Sequence, residues 1–313
     1  MTAGDVGWAE HSGDRHSARD RSRRDLVSAS GEIALNHIRT TRQIETLARE
    51  FEEQGYVKVE HALSREQLTR FNAAVDRHRE SHPERWVELS DSFREGTNVL
   101  PDTEDFDEAI ENSTTLDILR AIIGEDITFE EFAIMLRDST SNLGEIKGWH
   151  RDIVREYDRR MEIDAVSVML YLSDVTENDH CFSIVPETHS RLVDVNPLDV
   201  DPGDGIDVLG PAGTAVIFHA RAIHCGHLKP NSGQRRTLQA YYSRWRNQRT
   251  AEWSDIPERL YAKSDPTLPR RFYDKWNVTR ILEGVGKRPA DLSPDLSVSE
   301  VIQEVQRRGR AAM

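Results

Sequence analysis

The sequence predicts a mainly β fold, a barrel or jelly roll with helices packed outside it. Three observations predict it. Short runs rich in β-branched and aromatic residues at 127–136, 165–172, 181–185, 214–218 and 237–245 are separated by Gly, Pro and Asn turns. The chain enters these strands from an α-rich start, an order that places helices on the outside of a sheet structure. Its 313 residues suit one catalytic domain with extensions. The expected parts are a flexible tail over 1–40, a catalytic domain over 41–250 and an extension over 251–313.

Taken in order, residues 1–40 are rich in Ser, Arg, Asp and Gly, with Arg21, Arg23 and Arg24 clustered. They hold too few large apolar groups to repay their ordering entropy. From Thr41, Ile44, Leu47, Ala48 and Phe51 fall at helical spacing, and Gly55 stands where a C-terminal cap belongs. Tyr56–Val59 alternates as a short strand. Ser64 and Gln67 form a capping box for a helix that buries Leu68, Phe71 and Val75. On this helix His78 and His82 share a face, but Arg79 stands where a zinc-protease helix needs Glu, so a solvated face is the preferred reading. Residues 84–113 read as a loop bordering a pocket. Thr115 is expected to cap a helix over 116–123 that Gly124 ends. Beyond Trp245 the chain is Pro-rich, with a helix expected over 298–308. This extension either covers one end of the barrel or meets a second subunit in a homodimer, and composition does not choose.

Bulk properties exclude several functions. A formal net charge of −14 argues against nucleic acid, whose phosphates select a basic stripe. Cys181 and Cys225 alone cannot make a disulfide framework and suit a reducing compartment. No run approaches the roughly 18 apolar residues of a membrane span. The expectation is a soluble, cytoplasmic protein with a small-molecule substrate.

Chemistry concentrates in two stretches. In Trp149-His150-Arg151-Asp152, residues two apart on a strand face the same side, so His150 and Asp152 can offer an imidazole and a carboxylate to one metal. With 12 histidines in the chain, such a spacing arises about once by chance, so the pair means little without a third ligand. The richest source is Phe218 to His227, where His219, His224 and His227 compete. His219 ends an apolar strand and reads as a core or rim histidine. His227 follows Gly226 in an expected turn. Two histidines and one carboxylate are the set that non-haem ferrous oxygenases use. Cys225 reads as a small packed residue, since a thiolate would disfavour hard-ligand iron chemistry.

The two stretches together resemble the phytanoyl-CoA dioxygenase family of Fe(II)/2-oxoglutarate oxygenases. Trp149 to Asp152 matches its Trp-His-x-Asp motif. Gly213 to His219, then His224 and Arg235, match its Gly-x-x-x-x-Phe-His strand, distal iron histidine and following arginine. Val185-Pro186-Glu187-Thr188-His189 matches the connecting motif loosely, and 51–68 resembles the family's opening helix, strand and helix. The resemblance runs from about residue 44 to 245 and implies a double-stranded β-helix (jelly roll, cupin-like) core. It implies His150, Asp152 and His224 as ligands of Fe(II), with three positions left for 2-oxoglutarate and O2. Arg235 would take the C5 carboxylate of 2-oxoglutarate with a bidentate pair, and Arg236 would face the other way. Oxidative decarboxylation would yield succinate and CO2 as a substrate C–H is oxidised. In related halogenases a small residue replaces the carboxylate, so Asp152 favours hydroxylation, or desaturation, ring closure or epimerisation. Departures are Asp179-His180 for Asn-Gly, Glu187 for Gly, which predicts a turn of another shape, and Met169 for a tryptophan near the cosubstrate.

Arg137, Trp149, Tyr171 and His227 are candidate substrate contacts, with Arg155, Tyr157 and Tyr241 as further polar or aromatic groups on the site strands and loops. Two rivals to a hydroxylase are a 2-oxoglutarate-independent metal enzyme on a cupin-like barrel and a non-catalytic 2-oxoglutarate-binding module.

Overall fold

Thr40 and Gln43 bond each other reciprocally at the start of α1 (Thr41–Gln54), and Gly55 ends it at φ +81°, a left-handed cap that glycine adopts without a Cβ clash. Ser64 and Gln67 do the same for α2 (Arg65–Ser81). Both caps follow from local sequence, because each needs only residues three apart. The computed structural model describes residues 40–142, 148–152, 165–190, 195–230, 233–245, 254–263, 265–269 and 271–273. The tail over 1–39 and the helix expected over 298–308 lie outside them, as do Arg155 and Tyr157.

Among the described residues, ten strands follow in chain order: β1 (Tyr56–Val59), β2 (Trp86–Ser90), β3 (Phe93–Thr97), β4 (Ile127–Arg137), β5 (Ala165–Tyr171), β6 (Cys181–Val185), β7 (Ile206–Val208), β8 (Ala215–His219), β9 (Ile223–His227) and β10 (Arg235–Arg244). Seven form one sheet in the order β1-β8-β5-β10-β4-β3-β2, and β7-β6-β9 form a second, with every strand pair antiparallel. The fold is mainly β with flanking helices, arranged as a jelly roll. Helices α3 (Asp107–Ile110), α4 (Ser113–Ile123) and α5 (Glu258–Tyr261) and four single-turn 3-10 helices complete the elements among the described residues.

Period-two alternation sorts the large sheet into two faces. Leu238, Ala240 and Tyr242 of β10, Phe132, Ile134 and Leu136 of β4, and Val166, Val168 and Leu170 of β5 join the main core with Phe51, Phe71 and Leu119 of the helices. The opposite face contributes Met169, Tyr171, Val216 and Phe218 to a second core against Phe182 and Ile184 of the small sheet. The candidate functional site lies on this inner face, between the sheets. Residues 254–273, where described, pack on the main core: Ser254 Oγ accepts from Phe132 N at 2.9 Å, Phe272 O accepts from Phe129 N at 2.7 Å, and Leu260 and Tyr273 are buried.

Four local expectations need correction. Residues 86–97 form the β2–β3 hairpin rather than a loop, because β3 pairs along β4, a partner far away in sequence. Asn112 caps α4 in place of Thr115, accepting from Thr115 N at 3.0 Å. His78 is buried: Trp86 Nε1 donates to its Nδ1 at 3.2 Å and it stacks on His82 at 5.0 Å. His227 ends β9 instead of lying in a turn, because β6 pairs with the whole segment from Ile223 to His227. Among the described residues, no helix is long and apolar enough to cross a membrane.

Candidate metal centre

His150 forms an isolated antiparallel bridge with His224, their backbones exchanging hydrogen bonds at 3.0 and 2.9 Å. Directly paired residues project to one side of a ladder, and the imidazole centroids stand 4.4 Å apart. Asp152 N donates to Ala220 O at 3.0 Å, which carries the pairing on and brings the carboxylate to the same side. Asp152 Oδ1 lies 3.3 Å from His224 Nε2 and 3.5 Å from His150 Nε2.

The imidazoles are oriented by their own backbones. His150 Nδ1 stands 3.0 Å from Gly148 O, and His224 Nδ1 stands 3.0 Å from Ala222 O. A carbonyl only accepts, so each Nδ1 donates to its own backbone, and this turns each Nε2 to the shared point. Burial pushes the Asp152 carboxyl up, but His224, His150 and the Tyr241 hydroxyl outweigh it and hold it well below the usual carboxylate range. Cis ligands at metal distances of about 2.1 Å stand about 3 Å apart, close to the spacing of these donors. Two imidazole nitrogens and one carboxylate oxygen on one side of a metal are the facial set of a non-haem ferrous ion. The residues present therefore fit the metal.

Arg151, between the two ligands, points away from them and is buried. Its guanidinium donates to Thr188 O at 2.7 Å, to Val195 O at 3.1 Å and to Arg221 O. Thr188 Oγ1 in turn accepts from Ile223 N at 2.8 Å, next to His224. One side chain thus ties the ligand loop to the turn after β6 and to the β8–β9 connection. Burial and the nearby Arg221 lower its pKa to about 10. Glu187 in that turn takes φ +65°, the left-handed region that favours glycine. The residue that stands in place of the family's glycine thus takes a backbone region that glycine favours.

The centre opens into a pocket lined by both sheets, with Met169, Phe182, Phe218 and Cys225 on its walls. Burial and Asp207 push the Cys225 thiol up to about 12, so it offers no thiolate. Arg235 and Arg137 line the same pocket. They are direct partners across the β10–β4 ladder and are 6% and 5% exposed. The Arg137 guanidinium lies over the Phe93 ring, 4.0 Å from its centroid. Arg235 Nε has no hydrogen-bond partner, and burial lowers its pKa against the opposing influence of Tyr171 and Cys181. A buried guanidinium with an unpaired donor is a place for an anion. Arg236 faces the other way, pairing with Asp76 of α2 at 2.9 Å.

The other sequence candidates stand elsewhere. Trp149 packs on Gly205, where any side chain would collide with its ring. Tyr171 is fully buried between the sheets and donates to Val208 O at 2.7 Å. His227 bonds Asp207 at 2.9 Å outside the pocket. There Cys181, Asp207 and His227 converge as a second set of potential ligands. Lys229 Nζ stands 2.9 Å from Asp207, so that carboxylate is already paired with an ammonium. His219 is a core histidine, its Nδ1 accepting from Arg221 N at 3.1 Å. Gln239 and Tyr241 line the pocket beside the centre. Their two-residue spacing from each other, on the strand that Arg235 begins, is the signal that marks Gln239, a residue sequence reasoning passed over.

The sequence profile of the phytanoyl-CoA dioxygenase family matches residues 51–237, more than half of the chain. No curated protein matches the sequence significantly. Among solved structures, the epimerase SnoN from nogalamycin biosynthesis, in complex with Fe3+, alpha-ketoglutarate and nogalamycin RO, is 16% identical with a TM-score of 0.57, over 72% of this chain and 91% of that one. The non-haem alpha-ketoglutarate-dependent carbocyclase SnoK is 18% identical with a TM-score of 0.56, over 72% and 92%. HygX from Streptomyces hygroscopicus, with nickel, 2-oxoglutarate and hygromycin B bound, is 16% identical with a TM-score of 0.51, over 65% and 87%. At these identities the likeness is one of fold. The profile, the jelly roll and the His150-Asp152-His224 centre agree, and the chain belongs to the phytanoyl-CoA dioxygenase family, whose enzymes use Fe(II), 2-oxoglutarate and O2.

Proposed function

We propose that this chain is an Fe(II)/2-oxoglutarate-dependent dioxygenase that hydroxylates an unactivated C–H of a small molecule. The substrate class is a natural-product intermediate, an amino-acid derivative or an acyl thioester. The observation that carries the reading is one pocket holding both the three-ligand centre and Arg235, a buried cation with an unpaired donor. His150, Asp152 and His224 would hold the iron. Arg235 would hold the C5 carboxylate of 2-oxoglutarate, and Arg137, over the Phe93 ring, would meet the substrate. When bound, ferrous iron supplies chelation of the keto acid and activation of O2. The chain's part is to fix the imidazole lone pairs, keep Asp152 ionised, orient the keto acid and exclude water with Phe182, Phe218 and Met169. Atoms balance as substrate, 2-oxoglutarate and O2 giving hydroxylated product, succinate and CO2.

Epimerisation or ring closure is the second reading, favoured by the fold likeness to SnoN and SnoK. Both outcomes use the same iron and keto-acid site. The first test loads anaerobic protein with Fe(II), adds 2-oxoglutarate and records the weak visible charge-transfer band of a chelated keto acid. The band is expected in the native protein and not in His224→Ala, and Arg235→Ala should raise the 2-oxoglutarate needed for half-saturation at least tenfold. Iron binding without a band would sink the 2-oxoglutarate assignment. Succinate release across a substrate panel, with product structures, then separates hydroxylation from the second reading.

A further inference from the structure

We infer that Tyr241 is a positioning residue that makes Asp152 a one-oxygen ligand of the metal, an inference that rests on the iron site proposed above. Tyr241 Oη donates to Asp152 Oδ2 at 2.7 Å, while the other oxygen, Oδ1, faces both histidine Nε2 atoms. The two carboxylate oxygens therefore have different tasks. Gln239 sets the direction of this bond. Its Nε2 donates to Tyr241 Oη at 2.8 Å and to Ser167 Oγ at 2.9 Å. An amide N–H only donates, so it engages the phenol oxygen as acceptor and leaves the phenol proton for Asp152.

The relay is built into the sheet. Gln239 and Tyr241 are two apart on β10, and Ser167 on β5 is the ladder partner of Tyr241. The β10–β4 register shifts between Tyr241 and Tyr242, the kind of irregularity that re-aims a side chain next to a site. The chemical need is definite. Three protein ligands leave three positions on an octahedral ion, and a chelating keto acid with O2 fills all three. A carboxylate that ligated through both oxygens would take one of them. Tyr241 holds Oδ2 away from the metal and keeps that position open. The same strand, through Arg235, would anchor the cosubstrate, so β10 would set the geometry of both ligand and keto acid.

The test uses Co(II) alone, titrated anaerobically into the full-length protein and read by visible absorption, with apo-protein melting measured alongside. Tyr241→Phe is expected to weaken Co(II) binding about tenfold or more, change the visible spectrum and leave apo melting nearly unchanged. Tyr242→Phe is the control: its hydroxyl donates to Ile110 O on the opposite face, and wild-type Co(II) affinity is expected. Gln239→Leu, which keeps Tyr241 but removes the group that orients it, should weaken binding in the same direction and serves if Tyr241→Phe does not fold. Wild-type affinity and spectrum in Tyr241→Phe would overturn this inference alone, as would an equal loss in Tyr242→Phe. If the native protein bound no Co(II), the metal centre and this inference would both fall.

Discussion

Arg235 shows how much one side chain's shape matters at this site. Its guanidinium is buried at the pocket wall with Nε unpaired, and a carboxylate meets such a fork with two parallel bonds. A lysine there keeps the charge and loses the fork. Arg235→Lys is therefore expected to weaken 2-oxoglutarate binding about tenfold, a difference of about 1.4 kcal/mol, with Fe(II) affinity unchanged. Titration of the charge-transfer band against both components checks it, and an equal loss of iron affinity would refute it. Gly213 makes a different single-residue demand. It sits at φ +92°, and an added Cβ would stand 2.9 Å from Leu63 O. Gly213→Ala should destabilise by at least about 1 kcal/mol in urea unfolding, since both the backbone region and the space favour glycine.

At the level of elements, the ligand loop is positioned by a buried cation. Arg151 bridges three carbonyls from Thr188, Val195 and Arg221, joining segments that meet nowhere else in sequence. Arg151→Met keeps apolar bulk but strands those acceptors, each worth about 1–3 kcal/mol if left buried and unmet. The expected result is a loss of more than about 2 kcal/mol of stability, together with weaker Co(II) binding. If melting fell with metal affinity intact, Arg151 would hold the fold but not the centre. The β2–β3 hairpin shows why some elements escape sequence reading. Val87 and Leu89 are 46% and 52% exposed, so the strand lacks the half-buried alternation that announces a sheet. Strand β3 joins the hairpin to β4, whose ladder holds it in the sheet, and Phe93 of β3 reaches the pocket.

For the whole molecule, a set of buried neutral histidines sets the response to acid. Burial lowers His219 to about 3, with His189, Arg221 and Arg151 adding to the shift, and burial also lowers His78, His180 and His189. A histidine depressed in the folded state binds fewer protons there than in the unfolded chain, where its pKa is about 6.5. Its stability is therefore complete above about pH 6.5 and drains away as pH falls towards 3. His219 alone would steepen the loss by up to about 1.4 kcal/mol per pH unit. Urea unfolding from pH 7 to 4.5 should show this slope, and His219→Phe, which keeps a ring against Phe51, should flatten it. A pH-independent midpoint over that range would refute the account.

Local chemistry along the chain determined a good deal by itself. The capping boxes at Thr40 and Ser64, the glycine end of α1 and the apolar strand runs were legible because each depends on neighbours within four residues or on a period of two. The shared face of His150 and Asp152 followed from the same period, and the family motif named His224 and Arg235 as candidates. Tertiary structure alone decided the rest, because the forces involved act between residues distant in sequence. Pairing of His150 with His224 turned two spacings into one centre. Pairing with β6 made a strand of His227's segment and took that histidine to Asp207. Packing sent Trp149 onto Gly205 and Tyr171 into the core, while the β10–β5 ladder set Gln239 and Tyr241 beside Asp152. Residue spacing along a strand states which side chains share a face, and only the packed sheets state what that face meets.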